Sequence, residues 1–270
     1  MTELQGKWIW YELMTSDPAG AKAFYEAVAG WHITLNAYPA LNYGFIANDD
    51  GGSTGGLLPL TGVMTANGAR PAWLGYIGVD DCDAAVKAIE GKGGKSLMPA
   101  MDIPDVGRVA MVADPDGVPF YVMTPKPPAG STGVSTCFDR ELIGRCAWNE
   151  LQACNQQGAL DFYTSLFGWT LPEPMDMGPM GKYQFIDDGG GMIGAIMPKM
   201  AQAPFPMWNY YFRVADIDVA AEATRAHGGQ VYHGPVQVPG GDWIINGGDP
   251  QGVIFGLVGA RAGEVKDHTA

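Results

Sequence analysis

The chain is written twice. Trp10, Glu12, Leu13, Phe24, Tyr25, Gly30 and Trp31 recur as Trp148, Glu150, Leu151, Phe162, Tyr163, Gly168 and Trp169, each 138 positions later. Pro71, Trp73 and Val79 recur as Pro206, Trp208 and Val214, each 135 positions later. Asp114-Pro115 with Gly117 returns at the same offset as Asp249-Pro250 with Gly252. Self-similarity over that period makes two copies of one domain the first architecture to consider. The 270 residues, 47% of them hydrophobic, are enough for two cores, each in a domain of about 130 residues.

Each copy divides again. Residues 7–13 read as a strand, after which Asp17 offers an N-cap carboxylate and Pro18 suits the first helical turn. Ala21, Phe24, Tyr25 and Val28 then form the i, i+3, i+4, i+7 stripe of a helix packed on a sheet, stopped by Gly30. The second copy repeats the stripe as Ala159, Phe162, Tyr163 and Leu166, stopped by Gly168. Three short strands follow near 31–35, 43–47 and 54–60. A second unit of the same grammar has a strand at 73–79, a helix with Cys82, Ala85, Val86 and Ile89, a Gly93-Gly94 break, and strands near 95–98, 108–113 and 118–123. Its counterpart runs from a strand at 208–214 through a helix at 217–227 to strands near 230–233, 243–246 and 252–258. The order strand–helix–strand–strand–strand thus occurs four times. The expected organisation is one domain over 1–124, a Pro-, Gly-, Ser- and Thr-rich linker over 125–142, a second domain over 143–262 and a tail over 263–270.

Composition removes several classes of function. A formal charge of −13 opposes a nucleic-acid-binding surface, which requires clustered Lys and Arg. No stretch reaches the roughly 20 apolar residues of a membrane span, and the first residues lack the basic and apolar regions of a secretory signal. Cys82, Cys137, Cys146 and Cys154 contain no CxxC pair, so reduced thiols in a cytoplasmic protein are expected.

The βαβββ unit used twice per domain, the Phe-Tyr pair in the first helix, the closing Gly-Trp, the Gly-Gly break and the Asp-Pro turn before the last strand together resemble the vicinal oxygen chelate superfamily. That group includes glyoxalase I, bleomycin-resistance proteins, fosfomycin-resistance enzymes and extradiol dioxygenases. The resemblance implies an α+β fold of two tandem open cups, each able to hold a divalent metal on His, Glu or Gln. It also gives the ligand positions. The one fourteen residues before the helix Phe falls on Trp10 and Trp148; the others fall on Leu74 and Asn209, and on Tyr121 and Gly256. The remaining strands, Ser53–Pro59 and Met192–Pro198, contain no His, Glu, Asp or Gln. Indole and aliphatic groups offer a cation no lone pair, so no metal and no cofactor is expected.

Strand alternation supplies the alternative site residues. Trp10 and Glu12 should face the first cup while Ile9, Tyr11 and Leu13 pack against the helix. Trp148, Glu150 and Gln152 should face the second cup, joined by Asn209, Tyr211 and Arg213, with Gly256 leaving room. Leu74, Tyr76 and Tyr121 belong to the first. Glu12 and Glu150 are each open to three roles: a structural hydrogen-bond acceptor, a general base, or a displaced metal ligand. Arg213 is either a partner of Glu150 or a clamp on substrate. His233 borders the second cup at a strand end, whereas His32, His227 and His268 are expected in solvent. Met175, Met177 and Met180, set among prolines, read as a loop over the second cup, either a lid or a packed segment.

The expected function is a glyoxalase-like protein that binds and transforms a small organic metabolite, aromatic or oxygenated, by proton abstraction of the lyase or isomerase kind. Glu150 or Glu12 is the base, with no metal from the family set. The alternative is a non-catalytic sequestration protein of the bleomycin-resistance type, stacking its ligand on Trp10, Tyr76, Tyr121 and Trp148. Because both domains lie in one chain, either a monomer or a homodimer is expected.

Overall fold

The structure, a computed structural model, describes residues 4–126 and 135–262. Positions 127–134 of the expected linker and the expected tail 263–270, with His268, lie outside the described residues.

The first repeat runs β1 (Trp8–Thr15), α1 (Pro18–Ala29), β2 (His32–Tyr38), β3 (Tyr43–Ala47), β4 (Ser53–Pro59), the short α2 (Gly62–Ala66), β5 (Ala72–Gly78), α3 (Cys82–Gly91), β6 (Lys95–Ile103), β7 (Gly107–Ala113) and β8 (Pro119–Pro125). The second runs β9 (Cys146–Ala153), α4 (Gln156–Phe167), β10 (Met175–Asp176), β11 (Lys182–Asp187), β12 (Met192–Pro198), β13 (Met207–Val214), α5 (Ile217–Ala226), β14 (Gln230–Gln237), β15 (Trp243–Gly248) and β16 (Ile254–Gly259). The strands form two eight-stranded sheets, ordered β2-β3-β4-β1-β5-β8-β7-β6 and β10-β11-β12-β9-β13-β16-β15-β14. The expected four βαβββ units and the α+β class are present. Two expectations change. Strand β14 continues through the expected strand end at His233 to Gln237. The Met-rich segment is partly ordered: Met175 and Asp176 pair with Tyr183 and Lys182, and Gly178–Met180 forms a single 3₁₀ turn.

The helices form where their caps and stripes dictate. The Asp17 carboxylate accepts from the Gly20 N–H at 2.9 Å, and Asn155 does the same for Gly158 at 3.1 Å. Ala21, Phe24, Tyr25 and Val28 are all buried on the inner face of α1. Gly30 and Gly168 end α1 and α4 with φ of 71° and 72°, the left-handed stop that a residue without Cβ adopts at no steric cost.

By packing, the chain forms two compact units, and each takes residues from both repeats. One falls within Met1–Trp10, Leu74–Ser135 and Trp148–Trp208; the other within Tyr11–Trp73, Thr136–Ala147 and Asn209–Ala270. In the first, the Trp208 indole N–H donates to the Tyr163 hydroxyl at 3.0 Å, and that hydroxyl donates to Asp114 at 3.1 Å. The second holds the same arrangement: Trp73 donates to Tyr25 at 3.0 Å, and Tyr25 to Asp249 at 3.3 Å. An indole N–H can only donate, so the direction of each relay is fixed. In both, the tyrosine of one repeat ends on the Asp-Pro aspartate of the other. The Gly-Trp pairs cross over too: Trp31 donates to the Gly144 carbonyl and Trp169 to the Gly6 carbonyl, both at 2.8 Å.

Around these bonds lie the aromatic cores. Tyr163 stacks on Trp169 at 5.7 Å and meets Trp208 edge-on, while Trp8 packs edge-on against Trp208 at 5.1 Å. In the other unit Tyr25 stacks on Trp31 at 5.7 Å, and Phe212 lies within 5 Å of both Trp31 and Trp73. Such contacts contribute beyond the area they bury. Tyr11, fully buried, packs edge-on against Tyr210 and Phe212.

Burial pushes Asp114 up to about 6, and the nearby Asp116 charge adds to this, against the lowering effect of the Val118 N–H and the Tyr163 O–H. Asp249 is raised for the same first reason. The unfolded chain releases the Asp114 proton near pH 4, the folded chain near 6. Stability that is fully present below about pH 4 is therefore lost as pH rises to 6, by roughly 3 kcal/mol for Asp114. Measured by denaturant unfolding, the stability of the wild type relative to Asp114→Asn should fall across that window; a difference independent of pH would refute this. A second test concerns Gly6, whose φ is +79° and where a Cβ would press on the Phe167 carbonyl oxygen. Gly6→Ala should lower the unfolding free energy by about 2 kcal/mol or more.

Candidate functional site

In the first compact unit the site grows from β9. Leu151 and Asn149 are fully buried on one face, and Asn149 donates to the Ile193 carbonyl at 2.7 Å. The other face presents Trp148, Glu150 and Gln152, as alternation requires. Glu150 lies in register with Ala195 of β12, and Ala195 with Phe185 of β11. The small Ala195 side chain leaves the space over the middle strand to longer neighbours. Into it reaches Tyr183, whose hydroxyl donates to Glu150 Oε2 at 2.9 Å and accepts from the Trp148 indole N–H at 2.8 Å. Gln152 Nε2 stands 3.5 Å from Glu150 Oε1. Phe185 closes the ring of aromatics, edge-on to Trp148 and to Tyr183. Glu150 is only 7% exposed. The same unit contains Tyr76 and Tyr121, in register on β5 and β8 and stacked on each other at 4.2 Å, and the half-buried Trp10.

In the second unit Glu12 is 2% exposed and in register with Gly56. The Tyr43 ring lies over Gly56, where a Cβ would overlap it. Tyr43 and Phe45 occupy on β3 the places that Tyr183 and Phe185 occupy on β11, and Tyr43 is edge-on to Phe45 at 5.9 Å. Asn209 of β13 donates from Nδ2 to Asn246 Oδ1 of β15 at 2.8 Å. Tyr211 lies over Gly256, its register partner on β16. His233 is exposed in mid-strand, in register with Asn246.

Arg213 departs from expectation. Its terminal nitrogens meet Asp242 Oδ1 at 3.3 Å and Oδ2 at 2.7 Å, and its Nε donates to the Arg140 carbonyl. The partner is thus Asp242, delivered by the turn between β14 and β15, and not Glu150, one of the two alternatives for this side chain. A two-pronged carboxylate contact also leaves little of the guanidinium for a substrate clamp.

Sequence reasoning overlooked Tyr43, Tyr183, Asp242 and Asn246. The first two carried a signal, since Tyr-x-Phe recurs as Tyr43-Gly44-Phe45 and Tyr183-Gln184-Phe185. Asp242 and Asn246 carried none, having no counterpart in the first repeat.

Among the described residues no three His, Cys, Asp or Glu side chains gather where they could hold a metal ion. At the family's ligand positions, Asn209 commits its amide nitrogen to Asn246, Gly256 lies beneath Tyr211, and Tyr121 stacks on Tyr76. This donor set does not fit a divalent metal. Also among the described residues, no helix is long and apolar enough to cross a membrane. Because Arg213 is buried, Asp242→Ala should cost about 3 kcal/mol or more by leaving a cation unpaired. Unaltered thermal or denaturant stability of that variant would contradict the pairing.

The model of the Glyoxalase/Bleomycin resistance protein/Dioxygenase superfamily matches residues 8–122 and again 143–257. CFP32 of Mycobacterium bovis, named by inference as a glyoxylase, is 32% identical over 256 residues, covering 94% of this chain and 95% of that protein. The anthracycline biosynthesis protein DnrV of Streptomyces peucetius is 28% identical over 271 residues, covering 94% and 93%. Among solved structures, the Mn(II)-bound glyoxalase of Novosphingobium aromaticivorans superposes with a TM-score of 0.62 at 17% identity, over 94% of this chain and 82% of that one. A 2,2',3-trihydroxybiphenyl 1,2-dioxygenase of Sphingomonas wittichii does so with 0.64 at 12% identity, over 94% and 90%. The chain belongs to the Glyoxalase/Bleomycin resistance protein/Dioxygenase superfamily, with one match to its domain in each repeat.

Proposed function

We propose that this protein is a glyoxalase-like enzyme that removes a proton from a small oxygenated organic molecule, with Glu150 as the base. The observation that carries the reading is the relay Trp148 to Tyr183 to Glu150, a carboxylate fixed inside a ring of aromatic side chains. Trp148 can only donate, so the Tyr183 O–H points at Glu150, and donors at both oxygens are the company a carboxylate anion requires. A C–H proton beside a carbonyl would pass to Glu150 and return to a neighbouring atom, giving isomerisation, or leave with a departing group, giving elimination. The family's metal has no place in this scheme, because the donors at its positions do not suit one. Glu12, buried beside the equivalent Tyr43 position, is the second candidate. The reading includes a cytoplasmic protein, acting as monomer or homodimer on a small molecule.

One observation favours a second reading, sequestration of the bleomycin-resistance kind. Among the proposed ligand-binding residues Trp10, Tyr76, Tyr121, Trp148, Asn209, Tyr211 and His233, aromatic rings predominate. The relatives named for anthracycline biosynthesis also point to a large aromatic molecule.

Turnover separates the two. Against a panel of α-hydroxycarbonyl and polycyclic aromatic compounds, Glu150→Gln should reduce kcat at least about a hundredfold with little change in affinity, the range for loss of a general base. If Glu150→Gln and Glu12→Gln both keep wild-type rates, neither is the base. Binding with no conversion across the panel supports sequestration.

A further inference from the structure

We infer that the β13–β16 face of the second compact unit recognises a neutral, planar ligand whose edge carries an N–H or O–H donor beside a carbonyl acceptor. The inference rests on the reading of Asn209 and Tyr211 as ligand-binding residues and adds the class of molecule they select.

The face is laid out by its register. His233, Asn246, Gly256 and Tyr211 form one row across β14, β15, β16 and β13. Asn209, two residues before Tyr211, shares its side of β13 and bonds to Asn246. That bond uses the donor of one amide and the acceptor of the other. The two remaining ends are Asn209 Oδ1, an acceptor, and Asn246 Nδ2, a donor. Asn209 is 3% exposed, and its Oδ1 has no hydrogen-bond partner. Leaving a buried acceptor without a partner is unfavourable, so a group that supplies a donor there is bound with that advantage. Asn246 is half-buried and opens the pair toward solvent.

Two glycines shape the walls. The Tyr211 ring lies over Gly256, and the hydroxyl end of Tyr232 lies over Gly248; a Cβ at either glycine would overlap the ring above it. Tyr232 is 54% exposed, an aromatic surface available for stacking. The neighbouring Arg213 is neutralised by Asp242, so its charge is not available to a carboxylate or phosphate. Amide edges beside aromatic walls select a flat, uncharged molecule with paired donor and acceptor, as in a lactam.

The test uses 2-quinolone, which has such an edge, and N-methyl-2-quinolone, which lacks the donor. Calorimetric titration of the full chain should show saturable binding of 2-quinolone, with the N-methyl compound at least about tenfold weaker. Asn209→Leu and, at the half-buried position, Asn246→Ala should each weaken 2-quinolone at least about tenfold and remove the preference between the two compounds. Equal affinity for both quinolones, no binding of either, or wild-type affinity in both folded variants would overturn the inference. In the last case the Asn209 acceptor serves only an ordered water. Glu150→Gln, altered in the other unit, should bind 2-quinolone like the wild type. If its turnover is also unchanged, the proposed catalytic reading fails while this inference stands.

Discussion

The interaction on which the rest of the structure depends is the buried Trp–Tyr–Asp relay, present once in each compact unit. Each link is neutral or singly charged, directional and buried beside stacked aromatic rings. Its terms oppose one another. Burial raises Asp249 and Asp114, while the tyrosine O–H and backbone N–H groups partly restore the charged form. Tyr25, raised by burial and then by the Asp249 charge, stays a donor at any physiological pH. Because Tyr25 and Asp249 come from different repeats, as do Tyr163 and Asp114, the relay makes each unit a joint product of both copies. Trp31 on the Gly144 carbonyl and Trp169 on the Gly6 carbonyl enforce the same exchange, as do the ion pairs Arg145–Asp50 and Lys7–Asp188.

That exchange explains which parts of the sequence were legible. Helix α1 announces itself through Asp17, Pro18 and the Ala21-Phe24-Tyr25-Val28 stripe, because caps and periodicity are local. The repeated Trp73, Tyr25 and Asp249 positions are equally visible as motifs, yet their partnership is not. Hydrogen bonds between residues 48 and 224 positions apart leave no trace in spacing. Duplication marks such residues as required without saying whether chemistry or packing requires them. Here the Phe-Tyr, Gly-Trp and Asp-Pro marks serve the core.

The site was legible in part. Alternation along β9 joins Trp148, Glu150 and Gln152 on one face, but the residue that organises them, Tyr183, sits on another strand. Its repeat, Tyr43, was spaced 140 apart from it rather than 138 or 135, which hid the correspondence. Asn209, Tyr211 and Arg213, expected in the same cup as Glu150, belong to the other compact unit. Charge alone leaves Arg213 open to Glu150 or to a substrate, whereas the turn before β15 brings Asp242 into two-pronged contact first. A long side chain takes the carboxylate that the backbone presents to it, and turn geometry is what a single sequence specifies least.

A double-mutant cycle on Tyr25→Phe and Asp249→Asn, read by denaturant unfolding, tests the central claim most directly. If the buried relay joins the two repeats, the pair should show a coupling free energy of about 1 kcal/mol or more, within the range for contacting residues. Strictly additive single changes would mean that the two side chains stabilise the fold independently, and that the cross-repeat bond is not what holds each unit together.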